Sequence, residues 1–326
     1  MNVLVTGGAG YIGSMMSRQL LDAGYGVTVY DNLTNGHDDA VDTRAAFVKG
    51  DLLDRKSITA AIESHDVQAV LHFGGVLSVA ESMRDPGKYF TNNISGTVNL
   101  LEAMVSKNVK FIIFSSTAGV YGNPQSIPLK EDHPTNPTSV YGESKLMIEK
   151  ILSWYDQIHD VKSVSLRYFN AAGASLDGTL GERHKDETHI IPLAIQAVLT
   201  KSSFSLYGTD YDTPDGSCVR DYIHIEDLCQ AHLMVLEQSL SHKISTVYNI
   251  GTGRGYSNKQ VLDTVEQISG KKLMVRTESR RPGDPSQLIA DPSKIMNELN
   301  WKPKHSDLPT IIQSAWEFHR KHGISS

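Results

Sequence analysis

The sequence has little cysteine, no long apolar segment and no run of basic residues. Its two cysteines, Cys218 and Cys229, show neither the clustering of a metal site nor the density of a disulfide-rich secreted domain. No uninterrupted apolar stretch approaches the roughly 18 residues that a membrane-spanning helix needs. Acidic residues outnumber basic ones by 37 to 31, unlike the pattern of a nucleic-acid-binding protein. These features predict a soluble, cytoplasmic protein without a metal, membrane or nucleic-acid partner.

The pattern of apolar residues predicts an α/β fold. Short β-branched runs alternate with amphipathic segments of helix length, which is typical of a Rossmann-type, doubly wound parallel sheet. We predict strands at residues 3–6, 27–30, 47–49, 69–73, 111–115 and 164–169. A further strand at residues 247–250 follows a helical stretch at 227–240 and is expected to return to the sheet edge.

A chain of 326 residues is long enough for two domains. We predict a dinucleotide-binding domain over residues 1–170, completed by segments around 218–253. Residues 171–326, rich in turns and then helical again at 258–269 and 308–319, are predicted to form mainly a smaller mixed α/β substrate domain.

A glycine-rich loop follows the first predicted strand and opens a helix predicted at residues 14–23. Gly7 permits a tight turn, Gly10 lets the backbone approach a pyrophosphate, and Gly13 lets helix and strand pack closely. Asp31, at the end of the second strand, predicts NAD rather than NADP because its carboxylate accepts hydrogen bonds from an adenosine ribose and repels a 2′-phosphate. The alternative for the glycine loop is an ordinary glycine-rich turn, and the alternative for Asp31 is an ordinary turn residue at the end of a strand. Asp51 is either an adenine contact or a helix N-cap.

Tyr141 and Lys145 are four residues apart, which on a helix places both side chains on one face. A nearby ammonium favours the phenolate of a tyrosine, so the pair suits base catalysis, although a solvated helix face would carry the same pair. Thr117 ends the fifth strand and brings a hydroxyl to the carboxyl edge of the sheet, where open α/β folds bind ligands.

The glycine-rich loop, the strand-end Thr117 and the tyrosine–lysine pair follow one another in the order found in the extended short-chain dehydrogenase/reductases. This chain resembles that group. Within that branch, four segments resemble the UDP-glucose 4-epimerase family: RYFNAAG at 167–173, YGTDY at 207–211, DGSCVRDYIH at 215–224 and RRPGD at 280–284. The resemblance implies reversible interconversion of UDP-glucose and UDP-galactose in galactose metabolism. It also implies a 4-keto intermediate, tightly bound NAD, a UDP-hexose substrate and a homodimer.

The resemblance also assigns residues by their positions in these motifs. Thr117, Tyr141 and Lys145 are implied to be catalytic. The residues implied to bind the cofactor are Gly7, Gly10, Tyr11, Ile12, Gly13, Asp31, Asn32, Asn35, Gly36, Asp51, Leu52, Phe73, Gly74, Gly75, Asn92, Ser115, Tyr141, Lys145, Tyr168 and Phe169. Those implied to bind the substrate are Thr117, Tyr141, Asn170, His189, Tyr207, Arg220, Arg281, Asp284 and Leu288.

Three positions bear on substrate contacts. Leu77 stands where many family members carry a polar residue, and His189 stands where some carry an asparagine that bonds the substrate phosphates. Leu288 matches a position that borders the hexose, where tyrosine tends to exclude an acetamido group and small residues admit it. Leucine is intermediate in size, so we expect some activity on UDP-N-acetylhexosamines; a core leucine is the alternative.

Two other functions compete. A sugar-nucleotide dehydratase needs an acid and a base, usually Asp-Glu, directly after the strand-end threonine, but Thr117 is followed here by Ala118 and Gly119. A cofactor-sensing protein could keep the fold without chemistry, although the intact tyrosine–lysine pair argues against it.

The family dimer pairs two helices per subunit, here about residues 92–106 and 141–155. Leu100, Met104, Ile148 and Trp154 are candidates for that contact or for the monomer core.

Overall fold

The computed structural model describes residues 1–242, 244–281 and 284–323. Residues 282–283 of the RRPGD segment, and the last three residues of the predicted second domain, lie outside the described residues. The strands are, in chain order, β1 (Asn2–Thr6), β2 (Gly26–Asp31), β3 (Ala46–Lys49), β4 (Val67–His72), β5 (Phe111–Thr117), β6 (Lys162–Tyr168), β7 (Asn170–Ala172), β8 (Ser203–Tyr207), β9 (Val219–His224), β10 (Thr246–Ile250), β11 (Gly255–Ser257), β12 (Met274–Glu278) and β13 (Gln287–Leu288).

Helices connect most of these strands. They are α1 (Tyr11–Asp22), α2 (Arg55–Ser64), α3 (Val79–Ser82), α4 (Pro86–Tyr89), α5 (Gly96–Ser106), α6 (Val140–His159), α7 (Ile190–Thr200), α8 (Ile225–His242), α9 (Asn258–Ser269), α10 (Ser293–Leu299) and α11 (Leu308–His322). Short 3₁₀ turns form at Asp38–Ala40 and Ala118–Val120, and a π-helical turn forms at Phe90–Ser95.

Seven strands form the central sheet in the order β10-β6-β5-β4-β1-β2-β3. The pairs β1–β2, β2–β3, β1–β4 and β4–β5 are all parallel. The predicted Rossmann-type fold is therefore confirmed, and β10 is the predicted strand that returns to the edge. The strand order reverses at β1, so the carboxyl ends of β1 and β4 flank the topological switch point where such sheets bind ligands.

The chain folds into two compact units. The first comprises residues 1–122, 134–167 and 229–248, and the second comprises residues 123–133, 168–228 and 249–326. The first unit contains most of the central sheet and a core in which α2 and α5 pack together. Leu4, Val70 and Ile112 from the strands are fully buried there, as expected for parallel strands covered on both faces.

The second unit has its own core and two small sheets. One sheet has β9 between β11 and β13, with β7 also paired to β9, and the other pairs β8 with β12. Helices α7, α9 and α11 pack together around buried Ile195, Val265 and Ile312. This is the smaller mixed α/β part of the fold.

The two helices implied in dimer contact bury most of their candidate side chains in the core of the first unit. Leu100, Met104 and Ile148 are at most 1% exposed, so for them the monomer-core interpretation holds. Trp154 is 61% exposed on α6, and Ile158, one turn later, is 67% exposed. No helix among the described residues is long and apolar enough to cross a membrane.

Candidate active site

The glycine loop has the backbone geometry that a bound dinucleotide requires. Gly7 has φ +69°, and a Cβ atom there would lie 2.7 Å from the nitrogen of Gly74. A Cβ on Gly13 would lie 2.2 Å from the Gly7 carbonyl oxygen, so close packing requires glycine at both positions. A Cβ on Gly10 would meet only one atom within 4 Å. The loop is thus closed against the sheet but open above Gly10, at the N-terminus of α1, where Tyr11 and Ile12 follow. This arrangement fits a pyrophosphate.

Asp31 connects the end of β2 to the glycine loop. One carboxylate oxygen accepts a hydrogen bond from the Ala9 nitrogen at 3.0 Å, and the other accepts one from the Leu33 nitrogen at 2.8 Å. Each oxygen retains acceptor capacity, because a carboxylate oxygen has two lone pairs. The loop that follows packs back on the same place: the His37 nitrogen donates to the Ala9 carbonyl at 2.9 Å, and Gly36 leaves no room for a Cβ beside Ala9. Asp31 is therefore both a structural anchor and a fit for a ribose.

The N-cap interpretation of Asp51 is wrong. Helix α2 is capped by Asp54, whose side chain accepts from the nitrogens of Lys56 and Ser57. Asp51 instead accepts from the side-chain amide of Asn32 at 2.9 Å and from the Leu53 nitrogen at 2.8 Å. Asp51 and Asn32 thus lie together beyond the ends of β3 and β2, as a shared adenine contact would require.

The segment after β4 supplies further residues implied at the cofactor. Phe73 lies against His232, with ring centroids 5.2 Å apart. Gly75 has φ +152°, and a Cβ there would come 2.8 Å from the side-chain oxygen of Asn93. That oxygen accepts from the Val76 nitrogen at 2.8 Å, and the Asn93 amide donates to the Ser144 hydroxyl at 3.1 Å.

Asn93 was not identified from the sequence, which pointed to its neighbour Asn92. Asn93 is 2% exposed within the π-helical turn, whereas Asn92 donates to the Lys88 carbonyl on its own helical turn. Since π-turns are frequent at functional sites, we assign Asn93 to positioning the 74–76 loop and helix α6. The residues around Asn93 show no sequence pattern that predicts a π-turn.

The structure brings the predicted catalytic residues together. Thr117 is hydrogen-bonded through its side chain to Tyr141, and the ammonium group of Lys145 lies 5.8 Å from the centre of the Tyr141 ring. The same ammonium donates to the Ser115 carbonyl at 2.9 Å. Helix α6 begins at this point because the Ser139 hydroxyl accepts from the Gly142 nitrogen at 3.1 Å. Thr117, Tyr141 and Lys145 therefore form one group at the carboxyl end of β5.

Burial dominates the electrostatics of this group. It raises the pKa of Tyr141 to about 12, although the hydrogen bond with Thr117 acts in the opposite direction. Burial also lowers the pKa of Lys145 to about 8. Base catalysis by Tyr141 near neutral pH therefore needs positive charge close to its oxygen when the site is loaded.

A buried ion pair links helix α6, which carries Tyr141 and Lys145, to the central sheet. Arg167 of β6 holds Glu149 of α6 with two hydrogen bonds, at 3.0 Å and 2.6 Å, and donates to the Tyr121 hydroxyl at 2.9 Å. Glu149 also accepts from the Ser116 hydroxyl at 2.6 Å. The network joins α6 to β5 and β6 one turn beyond Lys145. Arg167 belongs to the RYFNAAG segment but has no predicted role there, and nothing in the sequence marks Glu149, 18 residues earlier, as its partner.

Removing the arginine should leave a charged carboxylate buried without its partner. We expect Arg167→Met to lower the free energy of unfolding by about 3–5 kcal/mol. The matched control is Arg55→Met, which breaks the more exposed pair with Glu102 at 3.2 Å and should cost less than about 1 kcal/mol. Urea unfolding of both variants checks this, and equal losses would contradict the supporting role of the pair.

In the second unit, three implied substrate residues lie on adjacent strands. Arg220 of β9 is paired in register with Leu288 of β13, and Asn170 of β7 is paired with Tyr222 in β9. The Asn170 amide donates to the Asp221 carbonyl at 2.9 Å. Leu288 is half-buried, so it is not a core leucine.

The arginines of this unit contact acidic and aromatic groups. Arg220 forms a short ion pair with Asp284 and donates to the Val219 carbonyl at 2.8 Å. The Arg281 guanidinium stacks 4.1 Å from the centre of the Tyr207 ring. Both guanidinium groups have more donors than these contacts use, since arginine offers five. They suit a pyrophosphate, which forked donors bind well.

Four other positions considered in the sequence differ in their exposure and in their contacts. His189 pairs through Nδ1 with Glu182 at 2.5 Å and Glu187 at 3.5 Å, so that nitrogen is already engaged. Leu77 is 39% exposed. Tyr168 is buried at the end of β6, and the Phe169 nitrogen donates to the Ile250 carbonyl at 3.2 Å.

Comparison with known proteins agrees with this geometry. The model of the NAD dependent epimerase/dehydratase family matches residues 3–251. The UDP-glucose 4-epimerase of Lacticaseibacillus casei is 46% identical over 323 residues, covering 99% of this chain and 98% of that protein.

Two solved structures are similar throughout. The UDP-glucose 4-epimerase of Bifidobacterium longum, in complex with NAD⁺ and UDP, has a TM-score of 0.94 at 36% identity and is covered fully, as is this chain. The UDP-Glc/GlcNAc 4-epimerase of Campylobacter jejuni has a TM-score of 0.86 at 40% identity, covering 98% of this chain and 99% of that one.

Proposed function

The chain belongs to the NAD dependent epimerase/dehydratase family, and we propose that it interconverts UDP-glucose and UDP-galactose as an NAD-dependent 4-epimerase of galactose metabolism. The observation that carries the proposal is the group of Thr117, Tyr141 and Lys145 at the carboxyl end of β5. It lies on the same parallel sheet as a glycine loop shaped for a dinucleotide. Similarity over nearly the full length to UDP-glucose 4-epimerases supports it.

The residues that would hold NAD fit it. The open backbone above Gly10 would accommodate the pyrophosphate, Asp31 would accept hydrogen bonds from the adenosine ribose, and Asp51 with Asn32 would contact the adenine. When bound there, NAD would supply a reversible acceptor for the C4 hydride and a positive charge beside Tyr141.

The chain's own groups control the proton. Tyr141, as phenolate, removes the proton of the sugar 4-hydroxyl, and Thr117 donates a hydrogen bond that stabilises the developing negative charge. Lys145 favours the phenolate through its own charge. Protonated Tyr141 then returns the proton to the C4 oxygen of the 4-keto sugar. The configuration at C4 is inverted because the hexose has turned, so that the hydride would come back to the opposite face of C4.

We infer that the nucleotide end stays bound while the hexose turns. Arg220 and Arg281 provide forked donors for the pyrophosphate, and Tyr207 and Asp284 fix the orientation of these arginines by stacking and ion pairing. A firm hold on the diphosphate lets the keto-hexose rotate about its phosphate linkage without leaving the enzyme.

The family description also covers dehydratases, which need an acid and a base next to the threonine. Here Ala118 and Gly119 follow Thr117 in a 3₁₀ turn and have no side chain that transfers a proton. Purified protein incubated with UDP-galactose should form UDP-glucose without added NAD, and denaturation should release NAD. Loss of water, absence of turnover, or release of NADP would contradict the proposal.

We further propose that Leu288 sets how well N-acetylated UDP-hexoses are accepted. Leu288 pairs with Arg220 across two strands, which puts it beside a residue proposed to hold the diphosphate. The similar Campylobacter jejuni protein is described as a UDP-Glc/GlcNAc epimerase. A leucine can move aside by changing rotamer, whereas a tyrosine at this point would occupy the space of an acetamido group.

Leu288→Tyr is expected to lower turnover of UDP-N-acetylgalactosamine by about 10–200-fold while largely sparing UDP-galactose. Gln287→Tyr is the control, because neighbouring strand residues point to opposite faces. The ratio of kcat/KM for the two substrates decides: an equal loss on both substrates, or no N-acetyl activity in the unmodified protein, would contradict the role of Leu288.

We also propose a cytoplasmic homodimer that uses the exposed face of α6. Trp154 and Ile158 lie one turn apart with their side chains largely exposed, and burying such residues favours association. Light scattering should give the dimer mass at micromolar concentration, and Trp154→Glu should shift it to the monomer. A monomeric unmodified protein would refute the proposal.

A further inference from the structure

A cluster of metal-ligand side chains lies in the second unit, in the segment before α7. Its members are Glu182, His184, Glu187 and His189, and one potential ligand atom from each lies within 4.8 Å of all the others. The carboxylates are nearly enclosed, with side chains 5% and 9% exposed, and the imidazoles are 17% and 48% exposed. Only His189 was considered in the sequence analysis, and for a different role. This cluster plays no part in the proposed epimerase mechanism.

Three of the distances between donor atoms are close to those of a tetrahedral site. The Nδ1 atom of His184 lies 3.0 Å from Oε1 of Glu182 and 3.6 Å from Oε2 of Glu187, and the Nδ1 atom of His189 lies 3.5 Å from the other oxygen of Glu187, Oε1. Zinc with bonds of about 2.0–2.1 Å to four ligands keeps them about 3.3 Å apart. A fourth distance, 2.5 Å between Nδ1 of His189 and Oε1 of Glu182, would have to open by about 0.8 Å to reach that spacing. His189 is the most exposed member, so its ring has room to move.

The ligand chemistry selects the class of metal. Two imidazole nitrogens with two carboxylate oxygens suit a first-row divalent ion such as Zn²⁺, and oxygen-only ions such as Ca²⁺ or Mg²⁺ are disfavoured. Two buried carboxylates so close together repel each other unless positive charge lies between them. One divalent cation balances them, and protons on both imidazoles would do the same.

A second observation lies beside the cluster. Gly181, the residue before Glu182, packs so closely on the Phe318 ring that a Cβ would come within 2.5 Å of it. The next residue of α11, His319, is 4% exposed, and its Nδ1 atom has no hydrogen-bond partner in the part of the chain that the structure describes. Glu182 and Glu187 interact electrostatically with this buried imidazole, so a third histidine lies near the same two carboxylates.

We propose that Glu182, His184, Glu187 and His189 bind one zinc-type divalent ion. The bound ion would fix the conformation of the segment before α7. All four ligands fall within eight residues of sequence, so little chain entropy is lost when the site closes. With Nδ1 on the metal, His189 could meet a substrate phosphate only through Nε2. The ion would therefore fix the position of the His189 ring as well as the segment.

Zinc binding to the full-length protein tests the proposal, independently of epimerase activity. Protein stripped with a chelator is titrated with Zn²⁺, passed through a desalting column and analysed for metal. We expect one zinc per chain, a higher melting temperature, and the intense visible absorption of tetrahedral Co²⁺ when cobalt replaces zinc.

Three variants locate the site. Glu187→Gln and His184→Gln should each weaken zinc binding by at least about tenfold, because even residues behind metal ligands have effects of that size. Asp186→Asn removes a charge from an exposed neighbour in the same segment and should leave binding unchanged. Three results would overturn the proposal: stripped protein that retains no zinc after titration, an octahedral cobalt spectrum, or equal zinc binding by all three variants. The cluster would then be an imidazolium–carboxylate ion-pair network, and any zinc bound would be adventitious.

Discussion

Tyr141→Phe is expected to lower kcat by about 10²–10⁴-fold, the usual contribution of a general base. The substitution removes only the hydroxyl that exchanges a proton with the sugar. The aromatic ring still packs edge-on against Tyr89, with centroids 6.5 Å apart, and the Lys145 ammonium keeps its bond to the Ser115 carbonyl. Folding and NAD content should therefore be unchanged.

The matched control is Tyr155→Phe, on the same helix. Its hydroxyl donates to Glu102 at 2.7 Å, in the core-facing part of α6 and apart from the catalytic group. The control should lose about 1 kcal/mol of stability and keep its kcat. Comparing turnover of UDP-galactose with released NAD for both variants separates loss of the base from loss of the cofactor. Near-normal turnover in Tyr141→Phe would exclude Tyr141 as the base.

The sheet could be predicted from the sequence because each strand is specified by residues that are close together in the chain. Each strand of the first unit is a short apolar run next to a helix with its own period, so the pattern within a few residues determines the element. Boundaries were less accurate: α1 begins at Tyr11 rather than at residue 14, because Gly10 serves as the N-cap. A backbone cap of this kind has no side-chain signature.

The parts that escaped prediction depend on contacts distant in sequence. Glu149 is a routine helix residue until β6 brings Arg167 beside it, and Asn93 is one of two adjacent asparagines until the π-turn selects which of them faces Ser144. Asp51 looked like an N-cap because the true cap, Asp54, is only three residues away. The histidine–glutamate cluster lies on one short segment, but no regular spacing marked it.

The pKa values around Tyr141 explain why the site cannot rely on burial alone. Burial favours the neutral forms of both Tyr141 and Lys145, with pKa values of about 12 and about 8. At neutral pH Lys145 remains mostly charged, since its pKa lies above that pH. Its ammonium lies 5.8 Å from the centre of the Tyr141 ring, and a positive charge at such a distance favours the phenolate. The hydrogen bond with Thr117 lowers the pKa of Tyr141 as well.

Lys145→Met should therefore shift the pH profile as well as lower the rate. An opposite charge within about 4–6 Å changes a pKa by about 1–3 units, so losing the ammonium raises the pKa of Tyr141. At neutral pH the phenolate fraction, and with it kcat, falls by about 10–10³-fold. Because the base is active when deprotonated, activity should recover as the pH rises, and the rising limb of the profile should move up by about 1–3 pH units.

Lys145→Arg and Lys150→Met make the test specific. Arginine keeps a positive charge and should keep the rising limb close to its original position, while Lys150 is exposed on the same helix and should affect neither rate nor profile. NAD content must be measured in each variant, because the resemblance also assigns Lys145 to the cofactor. If Lys145→Met loses rate equally at every pH while retaining NAD, the lysine does not act through the charge of Tyr141, and its bond to the Ser115 carbonyl becomes its main contribution.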